Sequence, residues 1–251
     1  MKKKIFILVS LFLILVVAFT PAKLLLGFLP DRSPFSLNGV SGTVWSGEVS
    51  QVAVNQLSFR DVLFSVDLLS LVMFSPSVSL DIASGDMAGD LVFHLTDDPS
   101  KNIEVSDVNI NFSGKELKRF LPLPGLEVKG DFLTKDLDFV SENQKPKSVD
   151  GTVRWQSAEV SYAGQSFTLG DFIIRATTDE EKKIIKAEVL KSKNALDLQG
   201  DIILQANGMV EITGSISTEI DQTLYTAFAL FNNGKPNNGR LPIKFKQRIF
   251  R

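Results

Sequence analysis

Asp86, Asp90 and His94 are spaced by four residues, the interval that on a helix would stack three metal-ligating or acid-base side chains on one face. Gly85, Gly89 and the run Leu91-Val92-Phe93 argue for a strand instead. In a strand four residues cover about 13 Å, so three such groups cannot share one ion. His94, the single histidine of 251 residues, then reads as a structural or surface residue. Asp97-Asp98 runs into Pro99, a turn signature before it is a carboxylate pair for proton transfer. The chain has no cysteine, which excludes disulfides, thiolate metal sites and a cysteine nucleophile. No Gly-x-Ser-x-Gly elbow, phosphate loop, dinucleotide fingerprint or His-Glu-x-x-His occurs. The expectation is a binding protein: not an enzyme, with no catalytic residue, metal or cofactor to assign. With 27 Lys and Arg against 29 Asp and Glu, the net charge of −2 lacks the basic excess that nucleic acid requires.

The elements that would carry any surface are mainly β. Val108, Ile110 and Phe112 alternate with Asn109 and Asn111, and Leu91, Phe93 and Leu95 share one strand face. Similar runs cover residues 78–82, 152–160, 167–177, 184–190, 195–204 and 209–217, separated by Gly, Asn or Asp as in an antiparallel meander. Two segments break the alternation. Ser113 with Glu116 and then Leu117, Phe120 and Leu121, and Thr218 with Asp221 and then Ile220, Leu224, Ala227, Phe228 and Phe231, have the capping and spacing of short amphipathic helices. A weak repeat relates Gly42-Thr43-Val44-Trp45 to Gly151-Thr152-Val153-Arg154-Trp155, the inserted Arg154 requiring a bulge if the two indoles are to share a face. The repeat and the charged stretch from Glu142 to Lys147 suggest two similar lobes, 37–145 and 146–251.

Lys2, Lys3 and Lys4 precede an apolar run from Ile5 to Phe19 interrupted only by Ser10, and apolar residues continue past Lys23 to Leu29. This reads as a cytoplasmic tail (1–4), a transmembrane anchor (5–29), a linker (30–36) and an exported domain (37–251), oriented by the lysines. The rival is a cleavable signal peptide, for which Thr20-Pro21-Ala22 is the nearest approach to a cleavage site. At the other end Lys235, Arg240, Lys244, Lys246, Arg248 and Arg251 appear with no acid among them. Lys244, Lys246 and Arg248 fall on one strand face, which is either a solvated edge or a contact for anionic headgroups or an acidic partner.

The run Leu37-Asn38-Gly39-Val40-Ser41-Gly42-Thr43-Val44-Trp45-Ser46-Gly47 after an N-terminal anchor resembles the type II secretion system protein N family, as does Val62-Leu63-Phe64-Ser65-Val66 leading into Leu68-Leu69-Ser70-Leu71. The resemblance implies a single-pass protein of the bacterial inner membrane with its C-terminal domain in the periplasm. Its partners would be other secretion components, and Gly42, Thr43, Val44, Trp45, Ser46 and Gly47 would form a structural motif, with Trp45 and Gly47 as core and bulge residues. A more distant similarity to AsmA-like proteins implies an elongated, curved sheet that handles phospholipid. Strands apolar on both faces, such as Phe172-Ile173-Ile174 and Ile202-Ile203-Leu204, fit that alternative because the second face must meet a sheet, a partner or a lipid.

Overall fold

The computed structural model describes residues 8, 12, 15–28, 35–99, 101–120, 126–162, 164–231 and 236–248. The chain divides into two compact units, Met1–Leu95 and Thr96–Arg251. Both are antiparallel meanders in which the paired strands are neighbours in chain order.

The first unit holds β1 (Phe35–Gly42), β2 (Ser46–Val54), β3 (Leu57–Val66), the single-turn α1 (Leu68–Val72), β4 (Ser77–Gly85) and β5 (Met87–His94). Register aligns Val40 with Val49, Val49 with Val62 and Val62 with Ile82. These four β-branched side chains are buried in one line across the sheet, the arrangement in which such residues pack best on a pleated surface.

The second unit holds β6 (Ile103–Ser113), a 3₁₀ turn (Gly114–Glu116) leading into α2 (Leu117–Phe120), β7 (Leu126–Glu142), β8 (Lys145–Tyr162), β9 (Gln165–Asp179), β10 (Ile184–Leu190), β11 (Gln199–Gln205), β12 (Met209–Ser217), α3 (Gln222–Phe231) and β13 (Arg240–Arg248). Its core contains Ala158, Leu169, Phe172, Leu196, Ile216 and Leu241, with Leu224 of α3 closing over it. Asp221 caps α3 by accepting from the amides of Thr223 (2.9 Å) and Leu224 (3.2 Å). Phe112, Phe132, Trp155 and Phe172 stack in register across β6 to β9 at centroid spacings of 5.2, 5.2 and 5.5 Å.

Three sequence expectations change. The anchor does not reach Leu29 as one helix. Residues 15–18 are helical, Pro21 bridges Thr43, and Ala22–Phe28 is a 3₁₀ segment whose first residue is 1% exposed against the sheet. Among the described residues no helix is long and apolar enough to cross a membrane; residues 1–7, 9–11, 13, 14 and 29–34, which carry the tail, most of the remaining anchor and most of the linker, lie outside them. Glu142 to Lys147 is no interval between units: Asn143 and Gln144, at φ 52° and 61°, make the two-residue hairpin between β7 and β8. The repeat is not matched in local structure either, because Trp45 lies in a turn and Trp155 inside β8. Pairing with β9 runs unbroken from Gly151 to Trp155, so no bulge offsets the inserted Arg154 there; the register shift comes after it, between Trp155 and Ala158, with Ser157 at φ 48°.

Bulges recur, and carboxylates of the neighbouring strand satisfy the amides they release. Asp171 accepts from Ser157 N–H and Asp138 from Asp107 N–H, each at 2.9 Å. β7 escaped the alternation for the same reason: Gly130 and Asp136 adopt positive φ, and its pairing slips beside both.

Candidate functional site

The Gly-Thr-Val-Trp-Ser-Gly run forms the turn from β1 into β2, and the end of the N-terminal apolar stretch is fastened to it. Thr43 Oγ1 accepts from the amides of Trp45 and Ser46, both at 3.3 Å, and Thr43 N–H donates to the Ser46 carbonyl at 2.9 Å. Gly42 has φ +87°, and a Cβ there would lie 2.6 Å from the Ser46 carbonyl oxygen. A Cβ on Gly47 would lie 2.2 Å from the Ser41 carbonyl oxygen and 2.9 Å from the Phe64 ring. Both positions therefore exclude any side chain.

The remaining groups of the turn reach the helical residues 15–18. A helix leaves its last carbonyls without intrahelical donors. Here Thr20 Oγ1 donates to Val16 C=O at 2.8 Å and the Trp45 indole Nε1–H to Val17 C=O at 2.9 Å. Val44 N–H donates to Thr20 C=O at 2.9 Å, while Trp45 C=O accepts from Val66 N–H at 2.7 Å. Trp45 is half-buried in this clasp rather than in a core, and Gly47 is a close-packing residue rather than a bulge. Nothing local in the sequence announces a bond between residues 28 positions apart.

Beside the clasp, one sheet face of the first unit frames a groove of about 450 Å³. Val49, Val62, Phe64, Leu80, Ile82 and Leu91 are among its lining, with Ala22 and Leu26 of the 3₁₀ segment at its margin, and every lining residue is apolar. Such a groove offers no hydrogen bond and no charge, so it selects an apolar occupant by shape and transfer free energy alone.

The residues singled out for chemistry lie elsewhere. Asp90 and His94 belong to β5, opposite Asp81 and Ser77, and Asp86 in the β4–β5 turn accepts from Ser58 N–H at 2.7 Å. The strand geometry spreads the three along the sheet. Asp98 accepts from the amides of Lys101 and Asn102 and pairs with the Lys101 ammonium at 2.6 Å, which makes Asp97-Asp98-Pro99 a turn. Lys244, Lys246 and Arg248 are exposed on β13, with Lys246 3.3 Å from Glu211 of β12. On the same strand Leu241 is buried, whereas Phe245 stands 49% exposed.

Shifted ionisations belong to exposed ion pairs of the second unit. A hydrogen bond from Arg240 holds the Asp197 carboxyl below its ordinary value, and one from Lys182 does the same for Asp179. The Lys129 ammonium is raised by its hydrogen bond to Glu159 across β7 and β8. A further cavity of about 860 Å³ at the β7–β8 hairpin end is lined by mixed groups, including Glu142, Lys145, Lys147, Thr178, Glu180 and Lys183.

Fold and site define an antiparallel β-meander protein in which the end of an apolar N-terminal segment is clasped to the first hairpin beside an apolar groove. The chain belongs to the type II secretion system protein N family, whose profile matches residues 33–244. It is similar to the type II secretion system protein N of Aeromonas hydrophila, 27% identical over 259 aligned residues that cover 99% of this chain and 100% of that protein. No solved structure matches. The family places the chain among components of a secretion system at the cell envelope.

Proposed function

We propose that this protein is a non-enzymatic, inner-membrane accessory component of type II secretion whose β-domain acts in the periplasm through contacts with other secretion proteins. Family membership carries the role, and the clasp supports the arrangement. Three lysines before an apolar run orient a span with its N-terminus in the cytoplasm, and the indole of Trp45 couples the end of that run to the sheet. Movement or force at the membrane would then pass directly into β1 and β2. Lys244, Lys246 and Arg248 offer a basic strip for an acidic partner surface or anionic headgroups. In vivo crosslinking followed by mass spectrometry tests the role: recovery of other secretion components supports it, and their absence from the crosslinked set overturns it. A C-terminal reporter active only in the cytoplasm would overturn the orientation.

The wholly apolar groove favours a second reading, a lipid-binding or lipid-transfer sheet. Gentle extraction of the full chain and mass spectrometry of co-purified phospholipid separates the two. Stoichiometric lipid lost on Val62→Glu supports the groove reading, and lipid at background sinks it.

A further inference from the structure

We infer that residues 68–74 form a bilayer-contacting loop that seats the clasp end of the first unit in the headgroup region of a phospholipid membrane. The inference rests on the anchor reading above and adds a second, non-spanning contact to it.

α1 and the turn after it place Leu69, Val72, Met73 and Phe74 in solvent at 67, 74, 69 and 94% exposure, with Leu68 and Leu71 beside them, and no residue of the helix is buried. This is a built structure. Asp67 caps α1 by accepting from Leu69 N–H at 2.9 Å, Ser70 Oγ donates to Asp67 C=O at 2.6 Å, and Ser70 Oγ accepts from Ser77 N–H at 2.9 Å. Met73 N–H and Ser75 N–H close on the carbonyls of Leu69 and Ser70 at 3.1 and 3.0 Å. The few polar groups are thus spent on holding the loop, and the apolar side chains all project outward. A surface loop facing only water has the opposite distribution. Between Asp67 and Asp81 there is no charged residue, so nothing in the segment repels an anionic headgroup or resists transfer into the acyl boundary.

The topology puts this loop where the membrane would be. The ends of β1 and β3 and the starts of β2 and β4 lie together, through the pairs Gly42 with Gly47, Ser46 with Ser65 and Val66 with Val78. Trp45 joins the same end, bonded to Val17 on one side and Val66 on the other. The loop therefore leaves the sheet beside the point at which the apolar N-terminal segment enters it. The clasp also shortens the span. As a helix, Ile5 to Phe19 would rise only about 22 Å, against roughly 30 Å of hydrocarbon. Closing that mismatch draws the exit point into the interface, a belt that suits the indole of Trp45 and the exposed ring of Phe19. A loop rooted two residues from Val66 is drawn in with them.

Because the natural chain has no cysteine, single cysteines can be introduced into the full-length protein at Leu69, Val72 and Phe74. Val16 serves as the anchor reference, and Ser84 as the control, about 23 Å along β4 from Ser77. Each variant is labelled with a polarity-sensitive nitrobenzoxadiazole and reconstituted in phosphatidylethanolamine–phosphatidylglycerol nanodiscs with and without nitroxide lipid. The expected result is blue-shifted emission and loss of most intensity to nitroxide lipid at 69, 72, 74 and 16, with neither at 84. Quenching at 16 alone overturns the loop contact and leaves the anchor reading standing. Blue-shifted but unquenched labels at 69, 72 and 74 also overturn it, since a protein surface then covers the loop. Quenching at neither 16 nor the loop overturns both.

Discussion

Among the described residues, the second unit covers its apolar sheet face with its own chain, whereas the first sets a short 3₁₀ segment and an open groove against that face. In the second, α3 and Leu196 close over β8, β9, β12 and β13, and Ile216 and Leu241 are fully buried. The first has a line of four β-branched residues, with Ala22 packed against it from outside the sheet. The same alternating strands thus serve two ends. Among the described residues one sheet is finished as a core, and the other keeps an apolar groove open.

Ile216→Ala or Leu241→Ala removes a side chain with no exposure and should cost about 2–5 kcal/mol, read as an earlier denaturant midpoint for the second unit. Ile82→Ala, the same truncation on the groove side, should cost no more than the low end of that range, about 2 kcal/mol; equal losses at the two places would contradict a difference in core quality. Gly47→Ala forces a methyl against the Ser41 carbonyl and the Phe64 ring, and should destabilise the first unit by about 1–3 kcal/mol. A wild-type melting profile for that variant would show that the hairpin yields freely.

Smaller effects sharpen the contrast. Trp45→Phe keeps the ring and deletes the bond to Val17, with an expected loss of about 1 kcal/mol confined to the first unit. The mildest is a pH effect on the second unit. Arg240 lowers the folded-state value of Asp197, so the stabilisation from this pair is complete above the unfolded carboxyl value. It is lost as pH falls below about 4 and through the lower folded value. Chemical denaturation of wild type and Asp197→Asn should differ slightly at neutral pH and converge in acid; a constant gap across that range would deny the pair its role.

Much of this layout was legible in the sequence. Period-2 alternation located most strands of the second unit, and Thr218 and Asp221 ahead of Leu224 announced α3, although the helix starts at Gln222 with Asp221 and not Thr218 as its cap. β7 was obscured because residues in positive φ at Gly130 and Asp136 reset the alternation twice. α1 was too short for helical periodicity to register, although Asp67 followed by apolar residues and Pro76 carried a cap and a stop. The apolar residues from Leu24 to Leu29 read as continuing the anchor because apolarity does not distinguish lipid from a sheet face; Ala22 and Leu26 border the groove instead. Least legible was the clasp, since an indole bonding to a carbonyl 28 residues away leaves no local pattern.

The motif turn and the end of the N-terminal apolar segment form one structural unit. Residue-resolved hydrogen exchange on the full chain in nanodiscs, comparing wild type with Trp45→Ala, tests it most directly. Val44 N–H, bonded to Thr20, and Leu24 N–H, bonded to Pro21, should lose protection while β8 and β9 keep theirs. Unchanged protection at Val44 and Leu24, or an equal loss in β8 and β9, would contradict the account.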